Sequence, residues 1–180
     1  MNEWVTASTP YLAPRAAGEP DPWADEAARA GLTGRHRLIL VERRPAPAVV
    51  AARLGTAPDT PAVLRRRLVT LDERPVEISD SWYPHAVADG TALAEHRPIR
   101  GGASRLLAEL GYMPVRHTED VGVCDPPADI APLLGTASVL ELIRTSYTET
   151  DVPFEVAVML MTRDMAPGQP RRLRYELRSA

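Results

Sequence analysis

Residues Val63 to Pro84 read VLRRRLVTLDERPVEISDSWYP, and the reading of this stretch decides the fold. Two runs rich in β-branched and apolar residues flank the polar Asp72-Glu73-Arg74. That pattern predicts a hairpin of strands Ala62–Leu71 and Val76–Trp82. The first strand carries Arg65, Arg66 and Arg67, and the second ends in a small polar cluster before Trp82-Tyr83-Pro84. Side chains alternate along a strand, so Arg65 and Arg67 share one face and Arg66 takes the other. One of the two faces is the inner one, and a guanidinium there needs a carboxylate or phosphate partner. Glu77 and Asp80 on the paired strand compete for that role with the anion of a bound ligand.

Outward from the hairpin, the N-terminal side begins as an extended arm over residues 1–20, punctuated by Pro10, Pro14, Gly18 and Pro20, with a short strand at Trp4–Ser8. Asp21-Pro22 supplies a cap and a proline at the first helical position, which predicts a helix over Pro22–Ala30 closed by Gly31. A strand Arg37–Arg43 and a short helix ending at Leu54-Gly55 lead into the hairpin. On the C-terminal side a helix is expected over Gly101–Leu110, with Leu106, Leu107 and Leu110 on its buried face. Strand Val115–Val123 and a short helix from Pro126 to Leu134, closed by Gly135, come next. Strands Val139–Tyr147 and Phe154–Thr162, a turn-rich break at Met165–Pro170 and a final strand Arg171–Arg178 complete the chain. Residues 49–79 and 128–157 echo each other as short helix, Leu-Gly, loop, strand, polar turn, Pro, strand. The order of elements predicts an α+β domain, residues 21–180, built on a largely antiparallel sheet with a cleft between two similar units.

The 180 residues are 44% hydrophobic and 25% charged, enough to bury one core. A net charge of −3 is a poor footprint for a nucleic-acid binder. All 21 basic residues are arginine, which reflects base composition more than function. The single Cys124 rules out an intrachain disulfide and fits a reducing cytoplasm. The first residues, MNEWVTASTP, lack a basic and apolar lead, so no signal peptide is expected, and no apolar run reaches the ~18 residues a membrane span needs.

Motifs for catalysis are lacking. His36, His85, His96 and His117 are scattered without metal-ligand spacing and read as surface or loop residues. No nucleophile elbow and no nucleotide-binding glycine pattern appears. Gly101-Gly102 before a helix reads as a loop that needs glycine dihedrals, with an anion site as the sharper alternative. In FEVAVMLM, Glu155, Ala157, Met159 and Met161 share one strand face. A carboxylate beside methionines marks either a cavity rim or a sheet edge.

Taken in order, these pieces resemble the UTRA domain, the effector-binding domain of the HutC subfamily of GntR transcriptional regulators. The matching pieces are Ala30-Gly31, Leu54-Gly55, Arg65–Leu71, Pro75, Ser81–Pro84, Leu106–Leu110, Leu134-Gly135 and Pro153–Glu155. The resemblance implies a chorismate-lyase-like α+β fold, with a mainly antiparallel six-stranded sheet and short flanking helices around a ligand cleft. It implies a small-molecule sensor in transcriptional regulation, with no cofactor, no catalytic residues and a homodimeric state. It places Arg67 in the anion-binding strand, with Val69 where a second arginine is usual. Ser79 stands at the customary acid, with Asp80 next to it. Gly102 and Ser104 align with a serine and a tyrosine, Glu155 keeps the late glutamate, and Met161 replaces an aromatic. Arg67, Ser79, Asp80, Gly102, Ser104, Glu155 and Met161 are therefore the expected ligand-binding residues. Val69 and Met161 argue for a larger, less charged effector than a phosphosugar.

Family regulators carry an N-terminal winged helix-turn-helix, and this chain shows no recognition helix or basic stripe. Its start is expected to be that of a stand-alone sensor that leaves DNA to a partner regulator, with a sensor domain separated from its own GntR-type DNA-binding domain as the alternative. The rival reading is a lyase-type enzyme on the same fold acting on a small anion, since a fold does not fix function. No general base is apparent near Arg67 and Glu155. A third reading, a structural partner domain, expects a collapsed cleft.

Overall fold

The hairpin is the middle of the molecule. The computed structural model describes residues 4–12, 21–166 and 168–176. Strands β3 (Pro61–Leu71) and β4 (Arg74–Pro84) pair antiparallel, with Arg67 opposite Ser79. Asp72 and Glu73 make the turn, with φ of 46° and 63°. Two successive positive φ values give a hairpin turn the same twist as its strands. Asp72 anchors that turn, since its Oδ1 accepts from the Thr33 N–H at 2.8 Å while its own N–H donates to the Thr33 carbonyl.

Four more strands extend the hairpin into a six-stranded sheet of order β2-β3-β4-β7-β6-β5, every neighbour antiparallel. These are β2 (Gly34–Pro45), β5 (Arg116–Cys124), β6 (Val139–Tyr147) and β7 (Pro153–Thr162). A second, three-stranded sheet joins the two ends of the chain. It contains β1 (Trp4–Ala7), β8 (Asp164–Ala166) and β9 (Gln169–Arg174) in the order β1-β9-β8, with β1 parallel to β9. Strand β8 overlaps the start of the expected break at Met165–Pro170, because three residues are too few to show a period. Strand β9 ends at Arg174. Arg178, where the last strand was expected to end, lies outside the described residues, as do Pro14, Gly18 and Pro20 of the arm.

Helix α1 (Pro22–Arg29) is capped by Asp21, which accepts from the N–H groups of Trp23 and Ala24, and it buries Trp23 and Ala27. Short helices α2 (Ala48–Leu54) and α5 (Ala131–Leu134) end on Gly55 and Gly135, at φ of 65° and 63°. Both residues sit in left-handed caps that glycine fills without strain. Helix α5 starts later than expected, because Asp129 is still in a turn. Helix α3 (His85–Ala88) follows β4, and α4 (Gly102–Glu109) precedes β5. Leu107 alone of the three leucines is fully buried. Leu110 was expected on the same face but is 42% exposed, because it is the C-cap residue rather than part of the last turn.

The sequence echo is a structural repeat. One unit runs α2-β3-β4, the other α5-β6-β7, and β4 pairs with β7 at the centre. Helix α2 of the first unit packs on β7 of the second, and α5 packs on β4. Both helices cover one face, burying Leu64, Ile78, Trp82, Ile143, Val156 and Leu160. Arg66 and Asp80 lie on that same face. Arg66 Nε and Nη2 donate to the two Asp80 carboxylate oxygens at 2.7 and 2.8 Å, and Nη1 donates to Asp129 at 2.7 Å. The expected role of Asp80 as a cleft residue is thereby corrected. It sits next to Ser79, and a period of two sends neighbouring side chains to opposite faces. The pair is nearly buried, with side chains 14% and 11% exposed.

Removing one partner of such a pair strands the other charge. Asp80→Ala is expected to lower stability by about 3 kcal/mol in urea denaturation, whereas the double change Arg66→Leu/Asp80→Leu recovers most of that loss.

Candidate functional site

The uncovered face of the sheet is the floor of a cavity of about 480 Å³. Alternation supplies the floor: Arg67 and Val69 from β3; Glu77, Ser79, Ser81 and Tyr83 from β4; Glu155, Ala157, Met159 and Met161 from β7. Leu142, Arg144 and Ser146 of β6 and His117 of β5 extend it. The first turn of α4, with Gly102 and Ser104, forms one wall, together with Leu107 and Tyr112. Residues of the N-terminal arm, Trp23 of α1 and Arg171 of β9 form another. Six of the seven residues singled out in the sequence thus meet at one cavity, and Asp80 does not.

The three consecutive arginines have three different fates. Arg65 is buried and its guanidinium donates to the carbonyls of Ala92, Leu93, Glu95 and Arg97 at 2.8–3.1 Å. Burial, opposed in part by the nearby Tyr83, pulls its pKa down. Arg66 is held above its ordinary value by its bonds to Asp80. Arg67 is half-buried and reaches only the hydroxyls of Ser79 and Ser81, at 3.4 and 3.5 Å. Among the described residues it has no carboxylate within ion-pair distance.

The repeat explains why. Arg67 lies opposite Ser79, two residues on from Glu77, and Arg144 lies opposite Ala157, two residues on from Glu155. The two units therefore bring equivalent Arg/Glu sets to the cavity, but neutralise different members. Arg144 Nε donates to Glu119 Oε1 at 2.6 Å, and Arg171 Nη1 donates to Glu77 Oε2 at 3.2 Å. Among the described residues, Arg67 of the first unit and Glu155 of the second have no opposite charge within ion-pair distance. Tyr83 donates its hydroxyl to one Glu155 oxygen at 2.8 Å. Burial and then the Glu155 charge push the Tyr83 pKa well above its usual value, so it remains a phenol donor.

Tyr83 and Ser81 were legible as continuations of the Ser79 face. His117 was not, since its placement depends on β5 pairing with β6. The expectation that all four histidines lie on surfaces or loops is corrected for His117, which is half-buried on β5 and lines the cavity, while His36 is exposed at the cavity's lining. His117 Nδ1 lies 3.1 Å from Ser146 Oγ, and His36 Nε2 lies 3.0 Å from Asp21. Gly101 and Gly102 have φ of 81° and 83°, so the loop does need glycine dihedrals, and a Cβ on Gly101 would meet the Arg105 side chain at 2.6 Å. No group of three or more His, Cys, Asp or Glu among the described residues could hold a metal ion. No helix among them is long and apolar enough to cross a membrane.

Comparisons with known proteins follow the same outline. The UTRA domain model matches residues 29–166. An uncharacterized HTH-type transcriptional regulator of Streptomyces coelicolor is 34% identical over 131 residues, 68% of this chain and 49% of the relative. The chain thus spans about half the length of that relative. The ligand-binding domain of a Bordetella bronchiseptica protein assigned to the GntR family of transcriptional regulators superposes with a TM-score of 0.59 at 28% identity, covering 83% of this chain and 89% of that one. The effector domain of PhnF from Mycobacterium smegmatis superposes at 0.67 and 22% identity, covering 86% and 94%.

His117 gives the site a pH signature. Burial first, then the Arg144 charge, lowers its pKa, with Glu119 opposing. The folded state therefore binds fewer protons than the unfolded one just below the ordinary histidine value of about 6.5. Stability from this group is complete above that value and is lost as the pH falls below it. Thermal melts of the wild type and His117→Gln should show the wild-type advantage shrinking as the pH falls below about 6.5.

Proposed function

The chain belongs to the UTRA domain family, and from that premise we propose that it is a small-molecule-sensing domain of transcriptional regulation. The observation that carries the reading is Arg67, a half-buried cation that lines the cavity with no counter-charge in ion-pair distance among the described residues. A desolvated guanidinium favours an anionic or strongly polar acceptor. Glu155, with one oxygen held by Tyr83, orients a ligand donor through the other. Val69, Met159, Met161 and Leu142 offer an apolar bed between polar groups, which suits an effector with one acidic or polar end and an apolar body better than a phosphosugar.

The sensor works in the cytoplasm, either by itself or joined to a GntR-type DNA-binding domain of the HutC kind. It leaves DNA contact to that domain or to a partner regulator, as its acidic net charge supports. A second copy would join through a free edge of the large sheet, β2 or β5. Effector binding then biases the relative orientation of two protomers.

The enzymatic alternative gains one observation, since His117 shares the cavity with Arg67 and Glu155 and answers the missing base. Its depressed pKa keeps it neutral and able to accept a proton.

A thermal-shift screen of small carboxylates and other metabolites, followed by product analysis on each hit, separates the two readings. Saturable stabilisation without product is expected, and Arg67→Ala should weaken the hit's binding about tenfold or more. Turnover would sink the sensor reading, and unchanged binding by Arg67→Ala would sink the site.

A further inference from the structure

The wall opposite α4 is built by segments outside the matched residues 29–166, namely the N-terminal arm and β9. The arm is held over the cavity by carboxylates on two sides. Glu26 of α1 accepts from Trp4 Nε1 at 2.7 Å, Thr6 Oγ1 at 2.8 Å and the Tyr11 hydroxyl at 2.6 Å. On the far side, Ser8 Oγ donates to Glu119 of the β5 edge at 2.9 Å. Between these anchors Thr6, Ser8, Tyr11 and Leu12 line the cavity. The apolar anchorage is concentrated at the start of the arm, where Trp4 joins a buried cluster with Trp23, Ala27, Val69, Leu71, Val76 and Met165. Trp4 is buried against Trp23, with ring centroids 5.7 Å apart, and Tyr11 packs on the same cluster. Strand β1 has four residues and a single neighbour, β9. Short pairing on one side, tied by part-buried polar bonds, marks the segments of a protein that open locally before the rest.

We infer that residues 4–12 are a latched strap: the bonds to Glu26 must release before the cavity floor is open to a ligand, and Ser8 and Tyr11 then close over what has bound. The inference deepens the sensing function proposed above by stating how the cavity is reached. A ligand that touches Ser8 or Tyr11 favours the docked arm, and by linkage a docked arm holds that ligand longer. Ligand residence and arm docking are therefore one equilibrium.

The test needs no ligand, so it stands or falls separately from the role given to Arg67. In a Cys124→Ser background, Ser79→Cys places a thiol on the buried floor, and its alkylation by iodoacetamide reports opening. Ala51→Cys places a comparable thiol under α2, on the other face of the sheet, as a gauge of global unfolding. Glu26→Ala should speed alkylation at position 79 about tenfold or more, with position 51 unchanged. Tyr11→Phe, which removes a single bond, should act in the same direction to a smaller extent, and Glu73→Ala at the exposed hairpin should have no effect. An unaltered rate at position 79 would overturn the strap. Equal acceleration at both positions would also overturn it, because the latch would then serve overall stability and not access.

Discussion

The antiparallel pairing of β4 with β7 is the constraint on which the rest of the structure depends. It joins the two repeated units, and its register sets which side chains face the cavity. Ser79 lies opposite Met159 and Ser81 opposite Ala157 on the floor, while Asp80 and Val158 face the helices. A slip of one residue would exchange those faces completely. The helices guard against the slip. Each packs on the central strand of the other unit as well as on strands of its own, so the apolar face of either unit is covered only when both are in register. The packing that buries Trp82 and Ile78 is also the packing that aims Ser79 and Glu155.

Pseudo-symmetry then becomes functional by being broken in charge. A strictly repeated cavity would present two arginines and two glutamates, and each could find a partner across the axis. Here β5 and β9 reach in from outside the repeat and neutralise one member of each set, Arg144 through Glu119 and Glu77 through Arg171. What remains is an unmatched cation in one half and an unmatched carboxylate in the other. That arrangement gives the cavity a direction, so an occupant with unlike ends has one favoured way to lie.

Period-two patterning made the hairpin, the strand order within each unit and the face shared by Glu155, Ala157, Met159 and Met161 legible in the sequence. The same rule, applied to Asp80, places it with Arg66, so the one misread site residue is the one taken for its place beside the aligned Ser79 and against the alternation. The echo between residues 49–79 and 128–157 foretold two similar units and a cleft. Which charges stay unpaired was not legible, because it depends on contacts between residues far apart in sequence. Glu119 meets Arg144 across β5 and β6, and Arg171 meets Glu77 from the end of the chain. The arm was read as extended, yet nothing local announces that Trp4, Thr6 and Tyr11 converge on Glu26.

An uncompensated guanidinium is costly, and the fold tolerates Arg67 because the two faces of the sheet divide the work. The helix-covered face carries the large apolar side chains, and its charged pair is fully matched between Arg66 and Asp80. The cavity face keeps hydroxyls, methionines and the unmatched charges, where ligand contact and not packing density matters. Consecutive arginines on one strand show the division at the smallest scale. Arg65 is spent on four loop carbonyls and Arg66 on two carboxylates, and both are structural. Arg67, one residue further, faces the cavity. Stability and recognition therefore draw on side chains only 3.4 Å apart along the backbone by ordinary strand geometry, roughly one residue's rise, yet they are insulated from each other by the sheet itself. A change that tunes the cavity at the half-buried Met159, for instance, need not disturb the helix-covered core beneath it.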